Sequence, residues 1–331
     1  MGKLGHVPAL DGLRGVAILL VVSVHFTGVP KGGGLGVDLF FVLSGFLITT
    51  LLLEERERDG RIRIRAFYER RARRLLPALA VLLLAFLLID AAQGRSGLSQ
   101  VADYGLYGGN AYEAFVSSIS TPSLGLVHLW SLAQEEQFYL LWPLGFLLAV
   151  RSRRPARWLA ALFALLVCYR IALVAHGAPM YRIDRGPDTQ SEPLVAGCLI
   201  AFMRFDGLRW RPPSYLTVVA MATFVFGAVD FLGWYMRPLC EGAAAVLILA
   251  AVGDPEFARL VSWGWLRWIG RISYSLYLWH YVILWAFGWH ERLLALGVSF
   301  LVAWLSYRYV ERPFRRRSAP APVELPALSS A

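Results

Sequence analysis

Apolar residues in this chain are gathered into blocks, with charged residues mostly in the gaps between them. Runs at 16–26, 75–89, 158–174 and 243–252 are the clearest. With their flanks they reach the roughly 20 residues a helix needs to cross about 30 Å of hydrocarbon. Lipid offers an open backbone no hydrogen-bond partner, so such runs cross as helices. A sliding window of about 20 residues predicts about ten spans. They fall at 13–29, 35–53, 75–92, 127–150, 158–175, 189–205, 214–232, 238–252, 272–289 and 293–310. The expected fold class is all-α, a polytopic integral membrane helical bundle. The first apolar run is followed by no cleavage site and is expected to stay as a helix.

Composition agrees with the pattern. Of 331 residues, 57% are hydrophobic and only 17% charged, with mean hydropathy +0.52; a soluble domain carries about a quarter charged. The net charge of +10 raises the question of nucleic acid, but the arginines sit in alternate gaps between spans. The first such gap holds Arg56, Arg58, Arg61, Arg63, Arg65, Arg70, Arg71, Arg73 and Arg74, and later ones include Arg151–Arg157 and Arg312–Arg317. That is a topology signal, placing both termini in the cytoplasm of a multi-pass cell-membrane protein; no nucleic-acid partner is expected. Between the second and third spans, 54–74 reads as an amphipathic or interfacial helix. A Gly-, Ser- and Tyr-rich loop at 93–126 is expected to face outward. Residues 1–315 form the expected membrane domain and 316–331 a disordered cytoplasmic tail, Pro/Ala-rich from Ser318. No soluble domain is expected at either end. Cys168, Cys198 and Cys240 have no metal-ligand spacing, so they read as small buried hydrophobes, with no metal and no disulfide framework.

Ionisable residues inside spans are expensive to bury and mark function by default. Arg14 and His25 are eleven residues apart, about three turns and roughly 16 Å along one helix face. A phosphate-bearing ligand held by Arg14 would present its far end to His25; the plainer reading of Arg14 is an interfacial anchor. Glu135, beside Glu136, lies on the order of 10 Å below His128 at the opposite end, close to the depth of His25. A carboxylate beside an imidazole fixes its tautomer and raises its basicity, so the pair is expected within hydrogen-bond reach or one bridging water. The alternative is a carboxylate neutralised by an arginine. Tyr277 and His280 share a face, and with Ser131 and Asp38 they are candidates for contacting substrate or supporting the catalytic groups.

Taken together these segments resemble acyltransferase family 3. The resemblance rests on six motifs in order between residues 8 and 315: Leu10–Gly15 with His25; Gly36–Ile48; Phe67–Pro77; Trp130–Tyr139; Ile272–His280; and Glu311–Phe314. It implies about ten spans and transfer of an acyl group, commonly acetyl, from a coenzyme A thioester to a hydroxyl of a sugar, a lipid-linked glycan or a natural product. By position, Arg14 and His25 match the family's first-span pair, Arg71 and Arg74 its arginines before the Leu-x-Pro turn, and Glu135 its glutamate. One departure is Asp188-Thr189-Gln190, where many members have Asp-Thr-Arg; the change touches acceptor recognition more than donor chemistry.

The expected partners are therefore membrane lipid, acyl-CoA (acetyl-CoA above all) as donor, and a hydroxyl-bearing acceptor. Arg14, Arg71 and Arg74 would hold the coenzyme phosphates, and His25 with Glu135 would carry the chemistry, either by direct transfer or through an acyl-enzyme. A transporter or flippase for a sugar or lipid-linked glycan is the rival class. It would predict repeated halves with broken helices, and the sequence shows no internal repeat.

Overall fold

The structure is a computed structural model that describes residues 4–115, 125–206, 211–229 and 236–316. Among these residues it contains helices and no strand. In chain order the helices are α1 (Pro8–Thr27), α2 (Leu35–Asp59), α3 (Ile64–Ala92), α4 (Leu98–Gly105), α5 (Gly109–Phe115), α6 (Trp130–Ala149), α7 (Pro155–Ala175) and α8 (Met180–Arg185). They continue with α9 (Glu192–Phe205), α10 (Ser214–Val229), α11 (Arg237–Gly253), α12 (Pro255–Val261), α13 (Gly264–Phe287), α14 (Arg292–Leu305) and α15 (Arg312–Arg316), the last two joined by a π-helical segment, Ser306–Glu311. The expected disordered tail lies outside the described residues, apart from Arg316.

Every expected span falls on a helix, with 230–232 lying outside the described residues, yet among the described residues only five helical stretches are both long and apolar enough to cross a membrane: Pro8–Thr27, Leu35–Asp59, Ile64–Ala92, Pro155–Ala175 and Trp289–Arg315. The others fall short for two reasons. α9, α10 and α11 have 14, 16 and 17 residues. α6 and α13 are long enough, but they carry Gln134, Glu135, Glu136, Arg271 and His280. The apolar outer faces of α3 and α6 remain exposed, as at Leu84, Leu88, Leu141 and Leu144.

Two local outcomes differ from the sequence reading. No separate interfacial helix occupies 54–74: α2 runs on to Asp59, Gly60 closes it in the left-handed region (φ 70°) with its N–H donating to Arg56 O at 2.9 Å, and α3 begins at Ile64. The basic segment is thus divided between the end of α2 and the first three turns of α3, which carry Arg71 and Arg74 inward. Cys198 and Cys240 are buried, but Cys168 is exposed on α7; an apolar run crossing as a helix has one face outward whatever its composition.

Close helix crossings bring the site together. At Gly270 a Cβ would sit 1.7 Å from Asp11 O, so only glycine allows α13 to lie this close to α1. α2 and α9 meet in the same way at Gly45 and Gly197, where a Cβ would stand 2.0 Å from Leu194 O and 2.1 Å from Val42 O. Small residues at such crossings are the usual means of packing helices in lipid, where burial of apolar surface supplies little drive.

Candidate active site

An inner cavity of about 110 Å³ opens between α1, α2, α3, α6 and α13. Arg14 of α1 reaches across to α13, donating from Nε and Nη2 to Ser273 Oγ at 3.3 and 3.1 Å. From α3, Arg71 donates to Glu136 Oε1 at 3.2 Å, and its guanidinium lies 3.2 Å above the Tyr139 ring centroid. Arg74 lines the same cavity, and its buried Nε has no hydrogen-bond partner among the described residues. Glu135 Oε1 accepts from both Ser44 Oγ and Tyr139 Oη. A second space of about 350 Å³ shares Arg14, Leu47 and Arg74 with this cavity and adds Arg271 and Arg315. Five guanidiniums thus border these two neighbouring spaces; Glu136 pairs with Arg71 and Glu311 with Arg315, while Glu135 and Asp11, which also line them, hydrogen-bond elsewhere. Like charges gathered this closely suit a phosphate-bearing ligand, whose oxygens match the guanidinium fork.

An outer cavity of about 340 Å³ holds His25, Trp130, His128, Arg185, Arg237 and Tyr281. Hydrogen-bond chemistry fixes its protons. His280 Nδ1 lies 3.1 Å from Leu276 O and 2.7 Å from Tyr277 O. A carbonyl only accepts, so Nδ1 carries the proton and Nε2 of the neutral ring is an acceptor. His25 Nδ1, 3.0 Å from that Nε2, must then donate to it. The remaining nitrogen of His25, Nε2, keeps its lone pair. By the same logic His128 Nε2 donates to Leu278 O at 3.1 Å.

The two cavities share Val37 and Tyr277 as a common wall. Tyr277 Oη donates to His128 O at 2.6 Å and accepts from Ser131 Oγ, also at 2.6 Å. Arg14, Arg71, Arg74, Glu135 and Ser131 therefore lie on one side of this partition, His25 on the other, and Tyr277 within it.

No direct hydrogen bond joins His25 to Glu135 among the described residues. Counting rises gives the level of a residue, not the direction it points: Glu135 turns toward Ser44 of α2, and the imidazole finds His280 instead. Asp38 lines neither cavity; it is fully buried and holds Arg237 in a bidentate pair at 2.6 and 2.7 Å. Arg237 in turn reaches Asp184 at 3.1 Å, an aspartate whose burial pushes its pKa above the usual carboxylate value. Gln190, at the position that departs from the family motif, donates to Ile183 O at 3.1 Å. The guanidinium near this place comes from α7: Arg170 pairs with Glu192 at 2.6 Å and Glu241 at 3.1 Å.

Sequence reasoning missed Arg170, His128, Tyr281, Arg271 and Arg315. Arg170 carried a usable signal, as an arginine inside the apolar run 158–174. Arg271 and Arg315 were hidden among the arginines that set topology.

The profile of the acyltransferase domain family, acyltransferase family 3, matches residues 7–309. Among named relatives, the peptidoglycan O-acetyltransferase OatA of Listeria monocytogenes is 30% identical over 94% of this chain and 56% of its own length. The O-acetyltransferase OatA of Staphylococcus aureus is 31% identical over 98% of this chain and 60% of its own length. The chain therefore spans just over half the length of these relatives. No solved structure matches. With the family profile covering nearly all of the helical bundle, and the motif arginines and histidine lining adjoining cavities, the chain belongs to acyltransferase family 3.

Proposed function

We propose that this protein is a multi-pass O-acyltransferase of the cell membrane, moving an acyl group, most simply acetyl, from acyl-CoA to a hydroxyl of a glycan or natural product. The observation that carries the reading is the pair of cavities, one bordered by guanidiniums and one by an imidazole lone pair, meeting at Tyr277. Phosphates of the donor would sit among Arg14, Arg71, Arg74, Arg271 and Arg315, on the side that the arginine distribution assigns to the cytoplasm. The pantetheine arm would run toward Tyr277, and the acceptor would occupy the outer cavity. The acceptor oxygen attacks the thioester carbonyl while His25 Nε2 takes its proton. As the C–S bond breaks, the thiolate leaves and receives that proton from the His25 imidazolium, giving ester and free coenzyme. His280 orients His25 in this scheme and takes the place first given to Glu135. Glu135 acts on the donor side, where its charge faces Arg14 and Arg71. The names of the relatives support a glycan acceptor of the peptidoglycan class.

Release of coenzyme A from acetyl-CoA by purified protein, dependent on added peptidoglycan fragments, tests the reaction itself; a transporter would release none. Replacing Arg71 and Arg74 together with alanine is expected to raise the KM for acyl-CoA by about 10- to 100-fold, the loss of one to two charge-assisted hydrogen bonds, and to leave the acceptor KM near its parental value. Equal changes in both constants, or none, would reassign these arginines to topology.

A further inference from the structure

A third cavity, of about 320 Å³, lies between α3 and α6 and is bordered by Tyr68, Leu76, Leu106, Tyr107, Glu136 and Leu140 among others. Its lip is apolar and turned outward: Leu76, Leu106 and Leu140 are 48%, 82% and 66% exposed, in line with the apolar outer faces of both helices. Its inner wall is polar. Tyr107 Oη and Arg71 Nε are both buried, and neither has a hydrogen-bond partner among the described residues. Both are donors, and a buried donor left unpaired is costly.

Tyr107 is also held where it is against its own preference. Among the described residues it alone, other than glycines, has a positive φ, 57°, a conformation that costs energy and persists only when its surroundings impose it. The clamp is Gln137 of α6, which donates to Tyr107 O at 2.7 Å and to Asn110 Oδ1 at 2.9 Å. Tyr68 Oη closes the other end of the cleft by donating to Leu140 O at 2.7 Å.

Two unpartnered donors on residues that line the cleft, behind a leucine lip, match a molecule with acceptor oxygens at one end and alkyl chains at the other. We propose that this cleft binds one membrane phospholipid, its ester or phosphate oxygens accepting from Tyr107 Oη and Arg71 Nε and its chains lying across Leu76, Leu106 and Leu140. A bare alkyl chain, such as the tail of a long acyl donor, would leave both donors unpaired. Because Arg71 and Tyr139 line this cleft and the inner cavity alike, the bound lipid would brace Arg71 from behind. This last consequence rests on the donor-binding role proposed above; the lipid site itself does not.

The test uses the full chain, purified in dodecyl maltoside and depleted of loosely held lipid, with native mass spectrometry as the readout. The parent should retain one phospholipid and rebind phosphatidylglycerol or phosphatidylethanolamine after its removal. Tyr107→Phe, which deletes one donor without altering the packing, should weaken rebinding about 5- to 10-fold, the worth of a single hydrogen bond. Leu140→Trp, or Leu106→Trp if that variant unfolds on a thermal ramp, should block the lip and abolish retention. Added phospholipid should lower the KM for acyl-CoA in the parent and leave it unchanged in the tryptophan variant. The proposal fails if the parent holds no phospholipid, if a maltoside adduct takes its place, if Tyr107→Phe and the tryptophan variant retain lipid as the parent does, or if acyl-CoA displaces the lipid mole for mole. Retention with the expected variant pattern, but no coenzyme release under any condition, would uphold the lipid site and reject the transferase reading.

Discussion

Replacing His25 with alanine should lower acyl transfer by about 10²- to 10⁴-fold, the usual worth of a positioned general base, while leaving the protein folded. The side chain borders a cavity, so its removal opens space without stranding a buried charge. The hydrogen-bond chain through His280 makes the prediction sharper. If the backbone carbonyls of Leu276 and Tyr277 hold the His280 proton on Nδ1, the lone pair on its Nε2 selects the His25 tautomer with Nε2 free. His280→Leu removes that acceptor and should lower kcat nearly as much as His25→Ala, with little change in the KM for acyl-CoA. His280→Gln can place an amide oxygen where Nε2 lies and should restore much of the loss. The double variant His25→Ala/His280→Leu should be no slower than His25→Ala, because residues acting as one unit are strongly non-additive. Losses that simply multiply, or glutamine and leucine variants of equal rate, would detach His280 from the chemistry. Nitrogen-15 spectra of labelled histidines give a readout that needs no turnover: in the parent, His25 should show an unprotonated Nε2.

Placement along the chain was legible in the sequence, and direction around each helix was not. Blocks of apolar residues located the helices because lipid imposes one solution on any such run. The inner cavity was legible as chemistry: Arg14 and Glu135 were singled out as ionisable residues inside spans, Arg71 and Arg74 by their match to the family motif, and all four line it. What failed was the partner of His25. On a straight helix each residue turns by about 100°, so depth says which residues are level, and only the packing of helices says which face one another. That packing is fixed by features with weak sequence signals, such as the close approach of Gly270 to Asp11 that sets α13 against α1. His280 was visible as a candidate, since Tyr277 and His280 share a face, but its tie to His25 spans 255 positions. The start of α3 was misread for another reason. Nine arginines between 56 and 74 look like a surface segment, whereas α3 carries Arg71 and Arg74 to the inner cavity, where Arg71 pairs with Glu136.

The second large effect is on stability rather than turnover. Arg170 is 1% exposed, and the two carboxylates it pairs with, Glu192 and Glu241, are fully buried. The three side chains come from α7, α9 and α11, so the cluster joins three helices at one point inside the bundle. Removing one partner of such a cluster leaves uncompensated charge in a medium that solvates it poorly, at a cost of about 3–5 kcal/mol. Arg170→Leu should therefore give little folded protein, with a sharply lower midpoint on thermal unfolding in detergent. The carboxylates would be the cause, not the lost packing of the arginine stem. The triple variant Arg170→Leu/Glu192→Gln/Glu241→Gln should consequently recover most of the yield and midpoint, since neutral groups of similar volume replace buried ion pairs at small cost. If Arg170→Leu unfolds and the triple variant does not recover, the guanidinium would be acting through shape and its remaining contacts. If Arg170→Leu is as stable as the parent, the cluster would not hold the three helices together. The location gives the result a functional reading as well. Arg237, the first residue of the same α11, reaches Asp38 and the wall of the outer cavity. Loosening α11 should therefore blur the acceptor side before the arginine-lined spaces, raising the acceptor KM in any partly folded fraction while the acyl-CoA KM stays close to parental.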